Sequence, residues 1–512
     1  MKLIKHLSLA LGLGACAAVA ASTHEVSITI DARGSGPVIS EDVYGQFAEH
    51  LGNGIYGGIW VGEDSDIPNT RGIRDDVVAA LKAIHVPVVR WPGGCFADEY
   101  HWRDGIGPRD QRPATVNSNW GGVAESNAFG THEFLDFVGL VGAKAYINGN
   151  LGTGSVREMA EWLAYMTADD DSTLARERRK NGRQQPWEVA YFGIGNEAWG
   201  CGGHMTPEYY ADLYKRYASF LKAPPGREPR LIASGFHSDQ TIWTDYLSAH
   251  IPPVSVAGIS HHYYTLPTGD WDHKGEATGF DQAAWFSTLE RAYRMDAYIR
   301  ANVAVLDRND PQGDIGLIID EWGTWYDPRP GGEPGLLYQQ NTLRDALVAA
   351  LTFNIFHQHA GRVRMANIAQ MVNVLQAMIL TDGKDMLLTP TYHVFGMYQV
   401  FQNATVVPFE IDTDRYDRDA KSLPAVTASA ARDKSGRMYL ALVNLDPENP
   451  AAIHLRATGA AVTEAVGQLL TADALDAHNT FQTPNRVKPV AFTAPLAALE
   501  LPAKSILVVS LR

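Results

Sequence analysis

Short apolar segments alternate with longer amphipathic segments between about residue 40 and residue 400. The short segments are rich in β-branched residues, which is typical of strands, whereas apolar positions spaced three and four residues apart predict helices. The predicted strands are residues 43–49, 86–91, 144–148, 189–196, 230–234, 257–262, 315–321 and 367–374. The predicted helices between them include residues 75–84, 131–141, 207–221, 281–301 and 338–356.

Two of these strands are apolar until their last residues and then end on acidic side chains. One ends in Asn196-Glu197 and the other in Asp320-Glu321. A strand that is apolar on both faces indicates a parallel sheet covered by helices. Eight such strand–helix units over residues 38–402 predict an α/β fold, the (β/α)8 TIM barrel. A doubly wound open sheet is the alternative, but the chain has no glycine-rich phosphate loop to favour it.

The pattern changes after residue 402. Short β-like runs at 437–444, 451–455 and 505–511 are separated by Asp, Asn, Pro and Gly turns. This pattern predicts an antiparallel β-sandwich, jelly-roll-like, over residues 403–512. A strand-like run at 25–30 has no helix before Val43, so we expect residues 22–37 to add a strand to that sandwich.

The first 21 residues are typical of an export signal. Lys2 and Lys5 precede an apolar run at 7–13, and small residues follow. Ala18-Val19-Ala20 suits cleavage and release, whereas Leu13-Gly14-Ala15-Cys16 resembles a bacterial lipoprotein box. The sequence thus predicts a periplasmic or extracellular protein, with a lipid anchor at Cys16 as the alternative. No run is long enough to predict a transmembrane segment.

Net charge, histidine spacing and cysteine content limit the partners, cofactors and covalent cross-links that the sequence predicts. A formal net charge of −15 at pH 7 argues against a nucleic-acid partner, because phosphates would repel the chain. The 17 histidines are scattered without a zinc-binding motif, so no metal or other cofactor is predicted. Beyond the signal only Cys95 and Cys201 remain, too few for a disulfide framework, and we expect stability to come from burial.

Polar side chains collect where the predicted strands end, which is where barrel active sites lie. Among them are two carboxylates, Glu197 and Glu321, with aromatic and amide neighbours, and such a pair is the minimum equipment for cleaving a glycosidic bond. Glu197 is predicted to be the general acid/base and Glu321 the nucleophile. A retaining mechanism then requires the two carboxyl groups about 5–5.5 Å apart.

Several motifs in order resemble the α-L-arabinofuranosidases of glycoside hydrolase family 51, over most of the chain. They are Gly45-Gln46-Phe47-Ala48-Glu49-His50-Leu51-Gly52, Arg90-Trp91-Pro92-Gly93-Gly94-Cys95-Phe96-Ala97-Asp98, Trp120-Gly121-Gly122, Gly195-Asn196-Glu197-Ala198-Trp199-Gly200-Cys201-Gly202-Gly203, His262-Tyr263-Tyr264, Asp320-Glu321-Trp322-Gly323 and Asn373-Val374-Leu375-Gln376.

The resemblance implies retention of configuration, no cofactor, and assembly into homo-oligomers. It assigns the acid/base to Glu197 and the nucleophile to Glu321. It places the substrate-binding positions on Glu49, Cys95, Trp120, Asn196, Tyr264 and Gln376. His262 is expected to enter the site in preference to His261, because strand alternation puts it on the same face as Tyr264. A buried structural role for Cys95 is the alternative.

The predicted activity is the removal of terminal arabinofuranosyl groups from arabinoxylan, arabinan or derived oligosaccharides of plant cell walls. Two alternatives remain at this stage. An endo-acting β-glucanase or xylanase on the same barrel would need an open cleft, and a non-catalytic glycan-binding protein would need inactive carboxylates.

Overall fold

A computed structural model describes residues 22–328 and 334–512 of the chain. The export signal and the lipoprotein box that the sequence predicts lie outside the described residues. No helix within the described ranges is long and apolar enough to cross a membrane.

Eight parallel strands close into a barrel, and their order around the barrel is their order in the chain. From the first to the eighth they are Gly45–Phe47, Val88–Trp91, Lys144–Gly149, Tyr191–Ile194, Arg230–His237, Gly258–Thr265, Gly316–Thr324 and Val363–Ile368. The prediction of a TIM barrel is therefore confirmed. The eighth strand lies earlier than residues 367–374, because the apolar segment after Ile368 leaves the sheet and folds over the barrel mouth, where Met371 N donates to Phe47 O.

Every barrel strand is followed by at least one helix. The helices are Asp75–Ala83, Thr131–Val141, Val156–Thr167, Thr173–Lys180, Pro207–Phe220, Ile242–His250, Gln282–Asn309, Leu343–Gln358 and Pro390–Tyr398. Their starts follow local chemistry: Thr206 caps the fifth helix with Pro207 in its first turn, and Thr342 forms a capping box with Asp345.

The barrel interior is packed at its amino-terminal end. One layer of buried side chains fills it, comprising Val88, Tyr146, Tyr191, Ile232, Ile318 and Met365. Such a layer makes the barrel a solid core. The space that remains for a site inside the barrel therefore lies at the carboxyl ends of the strands.

Two sheets form the second unit. The four-stranded sheet has the order Phe409–Thr413, His24–Asp31, Ala451–Thr458 and Glu500–Leu501. The six-stranded sheet has the order Thr405–Val406, Val426–Arg432, Met438–Asn444, Ser505–Leu511, Glu464–Leu470 and Val490–Pro495. Pairing is antiparallel except between His24–Asp31 and Ala451–Thr458, which run parallel. Buried aliphatic residues between the sheets form a separate core.

Four short two-stranded hairpins lie outside the barrel and the two larger sheets in the described residues. They are Asn69–Thr70 with Ile73–Arg74, Thr115–Asn117 with Val123–Glu125, Ile379–Asp382 with Asp385–Leu388, and Arg415–Arg418 with Lys421–Pro424.

Trp285 links the barrel to the sandwich. Its side chain is fully buried, and its indole Nε1 donates to Leu445 O at 2.9 Å. Trp285→Ala should destabilise the protein by about 3–5 kcal/mol, because it leaves a large cavity and an unpaired carbonyl. We expect a lower Tm in calorimetry, whereas Phe220→Ala, at a side chain that is 59% exposed, should leave the Tm nearly unchanged. Equal Tm values for the two variants would contradict this role.

Candidate active site

Glu197 lies in a turn just after the fourth strand. Its backbone is left-handed, with φ of 39°, and the turn is closed by Gly200 N and Gly202 N, which both donate to Glu197 O. Asp98 fixes the start of this turn: its carboxylate accepts from Asn196 N at 2.9 Å, and from Leu151 N and Gly152 N. A buried carboxylate thus ties the ends of the third and fourth strands together.

Glu321 projects from the seventh strand, whose residues are all buried. Each of its carboxylate oxygens accepts one strong donor: Arg90 Nη1 lies 2.9 Å from Oε1, and the Tyr264 hydroxyl lies 2.8 Å from Oε2. Burial raises the pKa of Glu321, while the positive charges of His262 and Arg90 oppose that rise. Donors on both oxygens favour the carboxylate over the acid.

His262 brings the two glutamates together. Its Nδ1 lies 2.7 Å from Glu197 Oε1 and 3.5 Å from Glu321 Oε2. One oxygen of each carboxyl group and a His262 nitrogen all lie within 4.8 Å of one another. Both glutamates keep some exposure, 18% for the Glu197 side chain and 7% for Glu321. The two carboxyl groups are close enough together to act on one carbon atom of a sugar, and they are exposed enough for that atom to reach them.

Asp320 lies behind the pair and holds His262 in place. Its Oδ1 lies 3.1 Å from His262 Nε2, and its Oδ2 accepts from the Tyr146 hydroxyl at 2.8 Å. Burial alone would raise the pKa of Asp320, but Arg90 and His262 lower it to about 2. Burial alone would lower the pKa of His262, but Glu321 and Asp320 raise it to about 10. The histidine is therefore an imidazolium that donates from both nitrogens.

Glu49 is a third carboxylate in the same cavity. Its Oε1 accepts from Trp120 Nε1 at 2.7 Å and from Phe96 N at 3.1 Å, and its Oε2 accepts from Gln370 Nε2 at 3.1 Å. Burial, reinforced by the charge of Glu321, raises the pKa of Glu49 to about 7.

Gly94 allows the two carboxylates to approach each other. A Cβ atom at this position would lie 2.9 Å from Glu321 Oε1 and 3.3 Å from Glu49 Oε1. Any side chain here would therefore displace one of the two carboxylates.

Most of the other predicted substrate-binding residues lie at the cavity or beside it. Cys95 lines the cavity together with Trp120, His262 and Tyr264. Asn196 is buried beside it, with Oδ1 accepting from Arg90 Nη2 at 2.6 Å and its amide group 3.9 Å from the Cys201 sulfur. Its amide group thus faces the disulfide side of the cavity.

The prediction for Gln376 needs correction. This side chain is fully buried, its Oε1 accepts from Thr324 N and its Nε2 donates to Asp345 O. It is absent from the cavity wall, where Gln370 stands instead. Gln376 therefore holds the seventh strand and the following helix in place, and Gln370 is the glutamine that lines the cavity.

The cysteines also need correction. Cys95 and Cys201 form a disulfide between the loops that follow the second and fourth strands. The expectation of stability without covalent links overlooked this bond, because two cysteines 106 residues apart carry no signal of pairing in the sequence. The bond crosses the rim of the cavity, so Cys95 is neither a free thiol nor simply buried.

The cavity has a volume of about 440 Å³, within the range of small-ligand sites, about 300–1,000 Å³. Beyond the carboxylates its wall is largely aromatic. The strand-end pattern did not predict these side chains, although Trp199 and Tyr263 lie within two of the family motifs; they are Trp199, His237, Tyr263, Trp271, Tyr298 and Trp325. Flat aromatic faces beside carboxylates suit the apolar faces of sugar rings.

Trp120→Phe should isolate the contribution of one hydrogen bond to this site. The ring is kept, but the Nε1 donor to Glu49 is lost, so the pKa of Glu49 should rise further. A hydrogen bond to a charged group contributes about 1.5–3 kcal/mol, and we expect kcat/KM to fall by about tenfold or more. Val123→Ala, an exposed position on the same hairpin, is the control and should leave kcat/KM unchanged. A Trp120→Phe rate equal to that of Val123→Ala would refute the contribution.

A TIM barrel with two adjacent carboxylates at its carboxyl end, and a sugar-sized aromatic cavity over them, is the architecture of a glycoside hydrolase. Two family models match the chain: "Alpha-L-arabinofuranosidase 1 domain" over residues 80–284 and "Alpha-L-arabinofuranosidase C-terminal domain" over residues 320–505.

Curated relatives and solved structures agree with these matches. An intracellular exo-α-L-arabinofuranosidase of Bacteroides ovatus is 47% identical over 492 residues, covering 95% of each chain. A family 51 arabinofuranosidase structure from Xanthomonas axonopodis pv. citri has a TM-score of 0.93 at 52% identity, covering 96% of this chain and 100% of its own. An arabinose complex from Thermotoga maritima has a TM-score of 0.84 at 30% identity, covering 95% of this chain and 99% of its own. The chain belongs to the α-L-arabinofuranosidases of glycoside hydrolase family 51, and its substrate is an arabinose-containing glycan.

Structures of some other glycoside hydrolases are more distant. A family 44 xyloglucanase from Paenibacillus polymyxa shares 12% identity at a TM-score of 0.58, which is a likeness of fold alone. The endo-β-glucanase or xylanase alternative is not favoured, because the relatives that match at high identity are arabinofuranosidases.

The prediction of an exported protein is wrong. The Bacteroides ovatus relative, which covers 95% of the chain, is named an intracellular enzyme. A short apolar run behind two lysines is a weak pattern. The finding therefore overturns both forms of the prediction, release of the protein after cleavage and a lipid anchor at Cys16.

Proposed function

We propose that this enzyme is a retaining, exo-acting α-L-arabinofuranosidase in which Glu321 is the nucleophile and Glu197 the general acid/base. The observation that carries the proposal is the approach of the two carboxyl groups, with oxygens within 4.8 Å. Retaining glycosidases hold their carboxyl groups about 5–5.5 Å apart, whereas inverting enzymes leave room for a water between them.

In the first step Glu321 attacks the anomeric carbon of arabinose while Glu197 protonates the departing glycosidic oxygen. The product is an arabinosyl ester of Glu321 and a free alcohol. In the second step Glu197 removes a proton from water, which attacks the same carbon and releases arabinose with its configuration retained.

The surrounding charges suit these roles. Arg90 and the Tyr264 hydroxyl stabilise the carboxylate form of Glu321 through their hydrogen bonds. The His262 imidazolium donates to Glu197 Oε1 and leaves Oε2 free of that donor. We assign the proton that is transferred to Oε2, which faces the disulfide rim.

The same geometry supports binding of a single terminal arabinose. Glu49, Asn196 and Gln370 supply carboxylate and amide groups around the reacting carbon, and Trp120 covers Glu49. The aromatic side chains farther out then receive the rest of the glycan. We propose arabinoxylan, arabinan and their oligosaccharides as substrates, and a role in hemicellulose and arabinan breakdown; assembly into homo-oligomers stays a prediction.

Stereochemistry tests the proposal. Hydrolysis of an aryl α-L-arabinofuranoside in the presence of methanol should give methyl α-L-arabinofuranoside, because methanol attacks the glycosyl enzyme from the face that water uses. Proton NMR distinguishes this product from the β anomer. Formation of the β anomer would overturn the assignment of Glu321 as nucleophile.

Product size tests the exo mode separately. Arabinoxylan and linear arabinan should yield free arabinose from the first time point. Oligosaccharides as the first products, or any release from unsubstituted xylan or cellulose, would contradict an exo-acting site.

A further inference from the structure

The disulfide at the rim of the cavity lies directly beside a carboxylate. The Cys201 sulfur is 3.6 Å from Glu197 Oε2. Both sulfurs and a Glu197 oxygen lie within 4.8 Å of one another. In the disulfide state the sulfurs carry no proton and no charge, so this contact is neither a hydrogen bond nor a metal site.

Reduction changes the chemistry of this cluster. A phosphine donates two electrons and water supplies two protons: the Cys95–Cys201 bond breaks, two thiols form, and the phosphine takes up the oxygen of the water as phosphine oxide. The thiols lose their protons on meeting a metal ion, because the thiolate is the ligand. Two thiolates and one carboxylate then face a common point.

We infer that the reduced protein binds one zinc ion, or another thiophilic divalent cation, through Cys95, Cys201 and Glu197. Zn–S bonds are about 2.3 Å and Zn–O bonds about 2.0–2.2 Å, so the ligand atoms around zinc lie about 3–4 Å apart. The three atoms are already within 4.8 Å, and the Cα atoms of the cysteines are 5.6 Å apart. A water completes the tetrahedron, as in zinc sites with three protein ligands.

Solvent access and ligand chemistry both favour metal binding on the side of Glu197 that faces the two cysteines. Cys201 is exposed, and Cys95 and Glu197 are partly exposed, so an ion can enter without opening the fold. Glu197, His262 and Glu321 form a second cluster of potential ligands, but His262 already donates both nitrogens to carboxylates. These contacts already occupy both His262 nitrogens, and the soft sulfur ligands lie on the opposite side of Glu197.

The ion would occupy the oxygen to which we assign the transferred proton. Zinc should therefore inhibit the reduced enzyme and leave the disulfide form active. This consequence rests on the proposed role of Glu197. Metal binding itself does not depend on that role. The prediction of zinc binding and the prediction of inhibition can therefore fail independently of each other.

The test is zinc stoichiometry in two redox states. The full chain carrying Cys16→Ser has two cysteines. A thiol assay should detect no free thiols before treatment with a phosphine and two free thiols after it. Equilibrium dialysis against zinc chloride, followed by elemental analysis, should find about one zinc per reduced chain and none per oxidised chain. A disulfide that resists reduction in the folded protein, equal zinc in both states, or no zinc in the reduced state would overturn the inference.

Two variants locate the ion. Cys201→Ser should weaken zinc binding by at least about a hundredfold, and Glu197→Gln by about tenfold, since each removes one anionic ligand. Unchanged affinity in Cys201→Ser would place the zinc elsewhere. If that variant does not fold, Cd²⁺ added to the reduced, otherwise unmodified Cys16→Ser chain provides the measurement: a thiolate-to-metal charge-transfer band that saturates at one equivalent supports the site, and its absence refutes it.

Discussion

Glu321→Gln is expected to lower kcat by on the order of 10⁴-fold or more with every substrate, activated aryl glycosides included. The amide cannot form the glycosyl ester, and it places no negative charge opposite the developing positive charge at the anomeric carbon. Its size is preserved and its amide oxygen can still accept from Arg90, while the Tyr264 hydroxyl must turn to accept from the amide nitrogen. Initial rates with an aryl arabinofuranoside, corrected for any trace of unmodified enzyme, provide the measurement.

Azide and a control variant sharpen this prediction. With Glu321→Ala, azide should enter from the face that the carboxylate leaves open and give the inverted β-arabinofuranosyl azide. Glu133→Gln removes another buried carboxylate, one that pairs with Arg112 outside the cavity, and should retain most activity. Near-normal turnover by Glu321→Gln, or an equal loss in Glu133→Gln, would remove Glu321 from the chemistry.

Glu197→Ala is expected to have the second largest effect, and one that depends on the leaving group. Natural glycans have poor leaving groups, so losing the proton donor should lower kcat by about 10²–10⁴-fold. An aryl arabinofuranoside with an acidic phenol needs little protonation, so its first step should slow far less. The second step loses its general base, and the arabinosyl ester should accumulate.

Pre-steady-state kinetics detect this accumulation as a burst of phenol followed by slow turnover. Azide needs no general base and should restore turnover, giving the retained α-arabinofuranosyl azide. Equal losses for good and poor leaving groups, with no burst, would show that Glu197 acts through structure and not through proton transfer.

The sequence predicted the parts of the site that lie at regular strand ends. Glu197 and Glu321 each follow an apolar run, and a parallel barrel brings such ends together at one face. Alternation along the sixth strand predicts that His262 and His261 face opposite sides, and His262 lines the cavity whereas His261 is buried outside it. These residues could be predicted from the sequence because side chains along a regular strand alternate with a fixed period of two.

The missed residues lie where the backbone is irregular. Gln370 and Gln376 are six residues apart in a segment that leaves the eighth strand, so no period assigns either one to the cavity. Only the fold shows that Gln376 bonds to Thr324 N while Gln370 reaches Glu49. Asp98 and the disulfide depend on loops from different strands meeting in space, and local sequence carries no record of such contacts.

The central claim is that Glu321 forms a covalent bond to arabinose. Glu197→Ala incubated with an activated aryl arabinofuranoside, quenched in acid during the burst and digested with a protease, tests it directly. Peptide mass spectrometry should find one added pentosyl group, and fragmentation should place it on Glu321. An arabinosyl group on any other side chain, or a burst without an adduct, would contradict the double displacement.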